Sequence, residues 1–147
     1  MAMSTPRPLT TTPRAEPDDT GQDTPPFNVF DHDCPSRPVL AHLTGRWGAL
    51  TMAALRQGPV RFNTLRRRIG DISDKMLAQA LQSLERDGFV DRQVLAVLPH
   101  HVEYRLTGLG VETADKLHDL IEHLERHMPD VLDAQQRHAQ HGTPGQI

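Results

Sequence analysis

The chain has 147 residues, of which 37% are apolar and only six aromatic, with a single cysteine and a net charge of −3. That length allows one domain with a modest, mostly aliphatic core, and a lone cysteine excludes an intrachain disulfide framework. No apolar run approaches the roughly 18 residues that cross a bilayer, and no secretion signal opens the chain, so a soluble, cytoplasmic protein with no membrane contact is expected.

The modest net charge averages unlike regions. Residues 1–34 carry two arginines against six carboxylates, whereas residues 35–110 carry eleven Lys or Arg against six acids. The stretch after residue 110 is acidic again. A basic middle between acidic ends is the pattern of a surface that binds a polyanion.

Residues 1–26, rich in Pro, Thr and Asp, have almost nothing to bury and are expected to be disordered, as is a tail over 138–147. Residues 27–137 are expected to form the single domain. A first helix is predicted from Cys34, with Pro35 at its first position and Val39, Leu40 and Leu43 on one face, until Gly45 stops it. Trp47, Leu50, Thr51, Ala54 and Leu55 line a second helix that ends before Gly58-Pro59. Phe62, Leu65 and Ile69 make a short third helix whose outer side carries Arg66, Arg67 and Arg68.

Ser73 is a good N-cap for a fourth helix, and Ile72 before it can pack on Leu77 as a hydrophobic staple. Leu77, Ala80, Leu81 and Leu84 point inward, and Asp74, Lys75, Ala78, Gln79, Gln82 and Arg86 outward, until Asp87-Gly88 ends the run. The alternating segments "FVDRQVL" and "HVEYRLT" read as a β-hairpin. Thr107 then caps a long helix with a stripe of Leu117, Leu120, Ile121, Leu124 and Met128, and Pro129 is expected to open a last short helix.

The fold class is therefore mainly α with a small β-hairpin wing, a winged helix-turn-helix over about 61–106 with further helices on both sides. A helix in the major groove reads base edges through its first turns, and Ser73, Lys75, Ala78, Gln79 and Gln82 suit that task. Gln79 can bond adenine in a bidentate way, and Lys75 can reach a guanine acceptor or a phosphate. Arg61, Arg66, Arg67 and Arg68 suit phosphates, which set position without reading sequence. Arg92 and Arg105 on the hairpin fit the same role, and His100 and His101 stand where a wing tip would meet a minor groove.

Several pieces resemble the HxlR family of bacterial winged-helix regulators: "CP" at 34–35, "GRW" at 45–47, "GPVRFNTLRRRIGDIS" at 58–73, "KMLAQALQSLERDGFVDR" at 75–92 and "VEYRLTGLG" at 102–110. The resemblance implies a homodimer, built from the first helix and the carboxy-terminal helices, that binds a palindromic operator in double-stranded DNA, here read as a repressor. Leu40, Leu117, Leu120, Ile121, Leu124 and Met128 would then form the dimer interface. It also implies that Cys34, the cysteine of the "CP" pair, responds to oxidants or electrophiles. Two positions depart from the family pattern: His101 stands where an arginine is common, and Gly108 adds a glycine at the start of the long helix.

Local chemistry at Cys34 is divided, since a helix amino terminus and Arg37 favour thiolate whereas Asp31 and Asp33 oppose it. Two alternatives stay open. Asp119, His123 and His127 recur every four residues, with His118, His138 and His141 nearby, which suits a metal-responsive regulator. A winged helix can also be a protein-interaction module. An enzyme is not expected, because no nucleophilic triad, phosphate loop or paired carboxylates can be placed, and no cofactor or metal is assigned.

Overall fold

In the computed structural model of the chain, residues 26–96, 99 and 101–142 are described. The expected amino-terminal disorder (all but residue 26), the last five residues of the expected tail and His100 lie outside them. Five helices and three short strands follow in the order α1 (Ser36–Thr44), α2 (Arg46–Leu55), β1 (Val60–Arg61), α3 (Phe62–Ile69), α4 (Asp74–Arg86), β2 (Val90–Ala96), β3 (His101–Leu106) and α5 (Gly108–His141).

The core lies where α2, α3, α4, β2 and the first turns of α5 converge. Met52 and Leu55 meet Leu65, Ile72, Leu77, Leu81, Leu84, Phe89, Val90 and Ala114 there, with Trp47, Tyr104 and Leu117 packed around them. On α4 the buried positions are Leu77, Leu81 and Leu84, spaced so that they share one helix face. The Ser73 hydroxyl accepts from the Met76 N–H at 3.1 Å, and both members of the Ile72–Leu77 staple are buried. At the other end, Phe89 N–H donates to the Leu84 carbonyl and Gly88 N–H to that of Glu85, while Gly88 takes a left-handed φ of 86°. This is a Schellman closure, in which the chain leaves α4 and turns into the wing.

The sheet runs in the order β1-β3-β2, all antiparallel. The hairpin was expected, but β1 was not. It is two residues long, with Val60 opposite Tyr104 and Arg61 opposite Glu103, and no two-residue segment carries a period that could reveal it. Between Val94 and Ala96 the β2–β3 register shifts, a bulge close to the wing tip.

Three boundaries differ from the sequence reading. The first helix begins at Ser36, and Pro35 is its N-cap, so Cys34 sits in the turn before it. Pro129 does not open a separate helix but lies inside the 34-residue α5. Proline there removes one N–H from the ladder, and the carbonyl of Glu125 is left to water on an exposed stretch where that costs little. Third, α5 continues to His141, past the expected boundary at 138, because Ala, Gln, Arg and His sustain a helix until Gly142.

Thr107 caps α5 as expected: its hydroxyl accepts from the Gly110 N–H at 3.0 Å and donates to the Gly88 carbonyl at 2.6 Å. Gly110 is buried, and a Cβ there would overlap the carbonyl oxygen of Phe89. Gly108, by contrast, faces open space. Gly110→Ala should therefore cost about 1–3 kcal/mol by overpacking, and Gly108→Ala should stabilise by up to about 1 kcal/mol. Urea unfolding of the two variants beside the native chain checks both signs.

Candidate nucleic-acid interface

The core holds one face of α4 and leaves the other bare. Ser73, Lys75, Ala78, Gln79 and Gln82 are all exposed, as are Asp74 and Arg86. They form a row that starts at the capped end of the helix, where side chains of a groove-bound helix reach base edges. Arg66, Arg67 and Arg68 are likewise exposed on α3, immediately before α4.

These cations differ in their partners. Arg66 Nε lies 3.3 Å from an Asp74 carboxylate oxygen, and Arg105 Nη2 lies 3.2 Å from that of Asp91. Among the described residues the Arg67 guanidinium donates only to the Thr64 hydroxyl, at 3.4 Å. Among the described residues, Arg67, Arg68, Lys75 and Arg92 have no carboxylate within ion-pair distance. They are the ones whose charge is fully available to phosphate, while Arg66 and Arg105 must first give up a surface ion pair worth little in water.

Arg61 is bound differently. It is the N-cap residue of α3, and its Nη2 donates to Nδ1 of His101 at 2.7 Å, while His101 Nε2 donates to Glu103 at 3.1 Å. His101 is thus half-buried at the start of β3, opposite Ala96, and not free at a wing tip. Arg61 and Arg67 line one open cleft of about 460 Å³ with Phe62, Asn63, Thr64 and Val102, at the amino terminus of α3. Glu103, Asn63 and Thr64 were not singled out from sequence. The cross-strand pairing of Arg61 with Glu103 that brings them together depends on β1, which had no sequence signal.

On the opposite side, α1 is tied to the far end of α4. His42 Nδ1 and an Asp87 carboxylate oxygen are 2.6 Å apart across 45 residues of chain, and the Asp87 side chain is only 11% exposed. Cys34 is half-buried ahead of α1, with Sγ 3.0 Å from the Ser36 hydroxyl. Hydrogen bonds from the Ser36 side chain and backbone hold its thiol pKa below the ordinary value, against the opposing charge of Asp31.

Of the expected dimer residues, Leu40, Leu120 and Leu124 are exposed, Ile121 and Met128 half-buried, and Leu117 packs on its own core. Leu40 also lines an apolar groove with Phe27, Val29, Pro35, Val39 and Leu43. His123 and His127 bring their rings to 4.5 Å, but Asp119 does not join them in a three-ligand group. Among the described residues the one such group is Asp31, His32 and Asp33, all exposed.

The sequence profile of HxlR-like helix-turn-helix proteins matches residues 42–131. The chain belongs to this family. The HTH-type transcriptional regulator YtfH of Escherichia coli strain K12 is 52% identical over 105 residues, 71% of this chain and 83% of that one. A solved structure of the transcriptional regulator ytfH from Salmonella typhimurium is similar at TM-score 0.71 and 50% identity, covering 75% of this chain and 98% of that one. YodB from Bacillus subtilis in its reduced form is similar at TM-score 0.55 and 34% identity, over 63% of this chain and 92% of that one. YodB has also been solved diamide-treated and quinone-bound. As an HxlR-type protein the chain is a helix-turn-helix transcriptional regulator and not an enzyme.

The thiol chemistry is checked by Ser36→Ala. Removing the hydroxyl should raise the Cys34 pKa, so the rate of alkylation by iodoacetamide falls severalfold at neutral pH and converges with the native rate in strong alkali.

Proposed function

We propose that the protein is a cytoplasmic homodimer that represses transcription by placing two copies of α4 in successive major grooves of a palindromic operator. The observation that carries this reading is the bare face of α4, with Ser73, Lys75, Ala78, Gln79 and Gln82 exposed in one row beside the arginines of α3. Lys75 and Gln79 read bases, and Arg61, Arg67 and Arg68 hold phosphates. Arg92 and Arg105 add contacts from the wing. The exposed Leu40, Leu120 and Leu124, with Ile121 and Met128, supply the dimer seam, which sets the two helices about 34 Å apart.

Cys34 is the point at which an oxidant or electrophile acts. Its depressed pKa favours the thiolate, the nucleophile that attacks such reagents, and the related YodB is known in diamide-treated and quinone-bound forms. With no second cysteine in the chain, a disulfide must form with the other subunit or with a small thiol.

Footprinting on the protein's own upstream region tests the whole reading, with paired half-sites expected. Replacing Gln79 with Ala should cost about 1–3 kcal/mol on the operator and relax discrimination at one base pair. Arg67→Ala should instead weaken binding to every duplex and lower the slope of log affinity against log salt by about one. Equal effects on operator and random duplex from both changes would refute the division of roles. Cys34→Ser should keep operator binding and lose its sensitivity to diamide.

A further inference from the structure

Arg61 is the one cation of the α3 cleft whose position depends on a titrating side chain. A guanidinium donates and never accepts, so the 2.7 Å contact with His101 requires a lone pair on Nδ1. His101 is therefore neutral in this arrangement, with its proton on Nε2, where it donates to Glu103 at 3.1 Å. Glu103 thereby selects the tautomer that leaves Nδ1 open for Arg61.

Protonation changes the contact from attraction to repulsion. A proton taken from solvent onto Nδ1 leaves two donors facing each other, and Arg61 must swing away, whereas the Nε2–H···Glu103 bond survives and becomes an ion pair. Arg61 then turns toward the cleft it already lines with Thr64 and Arg67, at the amino-terminal turn of α3. The groups facing His101 are few. They are Arg61 from β1 and Glu103 from β3, with neutral Gln93 and Ala96 on the paired strand β2. The Asp91–Arg105 pair lies further along the same face, and Arg67 faces in from α3. His100, next in the chain, lies outside the described residues.

We propose that His101 is a positioning residue for Arg61 and couples duplex binding to proton uptake, each wing releasing its arginine to a phosphate as the imidazole gains a proton. The inference rests on the reading that the α3–α4 face binds duplex DNA. The sign follows from linkage. In the free protein Arg61 and Glu103 act on the imidazole in opposite senses, and in the complex the polyanion favours both the proton and the freed guanidinium. The complex binds more protons, so affinity falls as pH rises through the range where histidine titrates, about pH 5–8. Because the contact is to phosphate, the effect appears on any sequence.

Calorimetric titration of the full chain with a duplex from its own upstream region, and with one of random sequence, tests this in two buffers of different ionisation enthalpy. Net proton uptake is expected with both duplexes, and affinity should drop about three- to tenfold per wing between about pH 6 and pH 8. His101→Gln can accept from Arg61 and donate to Glu103 but cannot titrate, so it should bind at pH 8 like the native chain and lose most of the uptake. His101→Arg should bind tightly at both pH values. Duplex binding with no proton uptake, or uptake unchanged in His101→Gln, overturns the inference and leaves the proposed function standing. Failure of the native chain to bind either duplex overturns the proposed function itself.

Discussion

Leu77, Leu81 and Leu84 fall on one side of α4 and are buried together with Met52 and Leu55 of α2. Each such side chain contributes about 1.5–3 kcal/mol by leaving water, and the three together fix which way the helix is rotated. Everything on its opposite face follows from that rotation. Lys75, Gln79 and Gln82 stand out from the protein because the leucines one or two residues away point to the other side of the helix and cannot be turned outward. The Ser73 cap and the Gly88 closure then set where this row begins and ends.

Charge around that face is graded more finely than a count of arginines conveys. Arg66 and Arg105 are held by carboxylates, Arg61 by a neutral imidazole, and Arg67 by a hydroxyl. These restraints differ in kind and do not follow the order of the residues in the sequence. A hydroxyl yields a guanidinium readily, a surface carboxylate yields it against a modest attraction, and an imidazole yields it on gaining a proton. The wing is thus more than an extra basic arm, since β3 carries the groups that decide how Arg61 stands.

What could be read from sequence was local. Ser73 as a cap, Ile72 as a staple on Leu77, Gly88 as a terminator and Thr107 as the cap of α5 each act within a few residues, and each is where periodicity and capping rules put it. The outward set on α4 followed from the same 3.6-residue period. Contacts closed over long loops left no such trace. The Arg61–His101 bond spans 40 residues and the His42–Asp87 bond 45, and neither end carries a pattern that names its partner. The misread ends of α1 and α5 have another cause. Pro35 and Pro129 are each compatible with more than one helix position, and exposure to water, which a sequence does not display, decides between them.

The turn at Gly88–Phe89 joins three elements through its backbone groups. Phe89 N–H closes α4 on Leu84, its carbonyl accepts from Thr107, and that same oxygen is pressed by Gly110 of α5. Because these groups meet at one point, the end of α4, the return strand β3 and the start of α5 are held in fixed register, and none of them can slip by a residue without losing a hydrogen bond of that turn or driving a side chain into the Phe89 carbonyl.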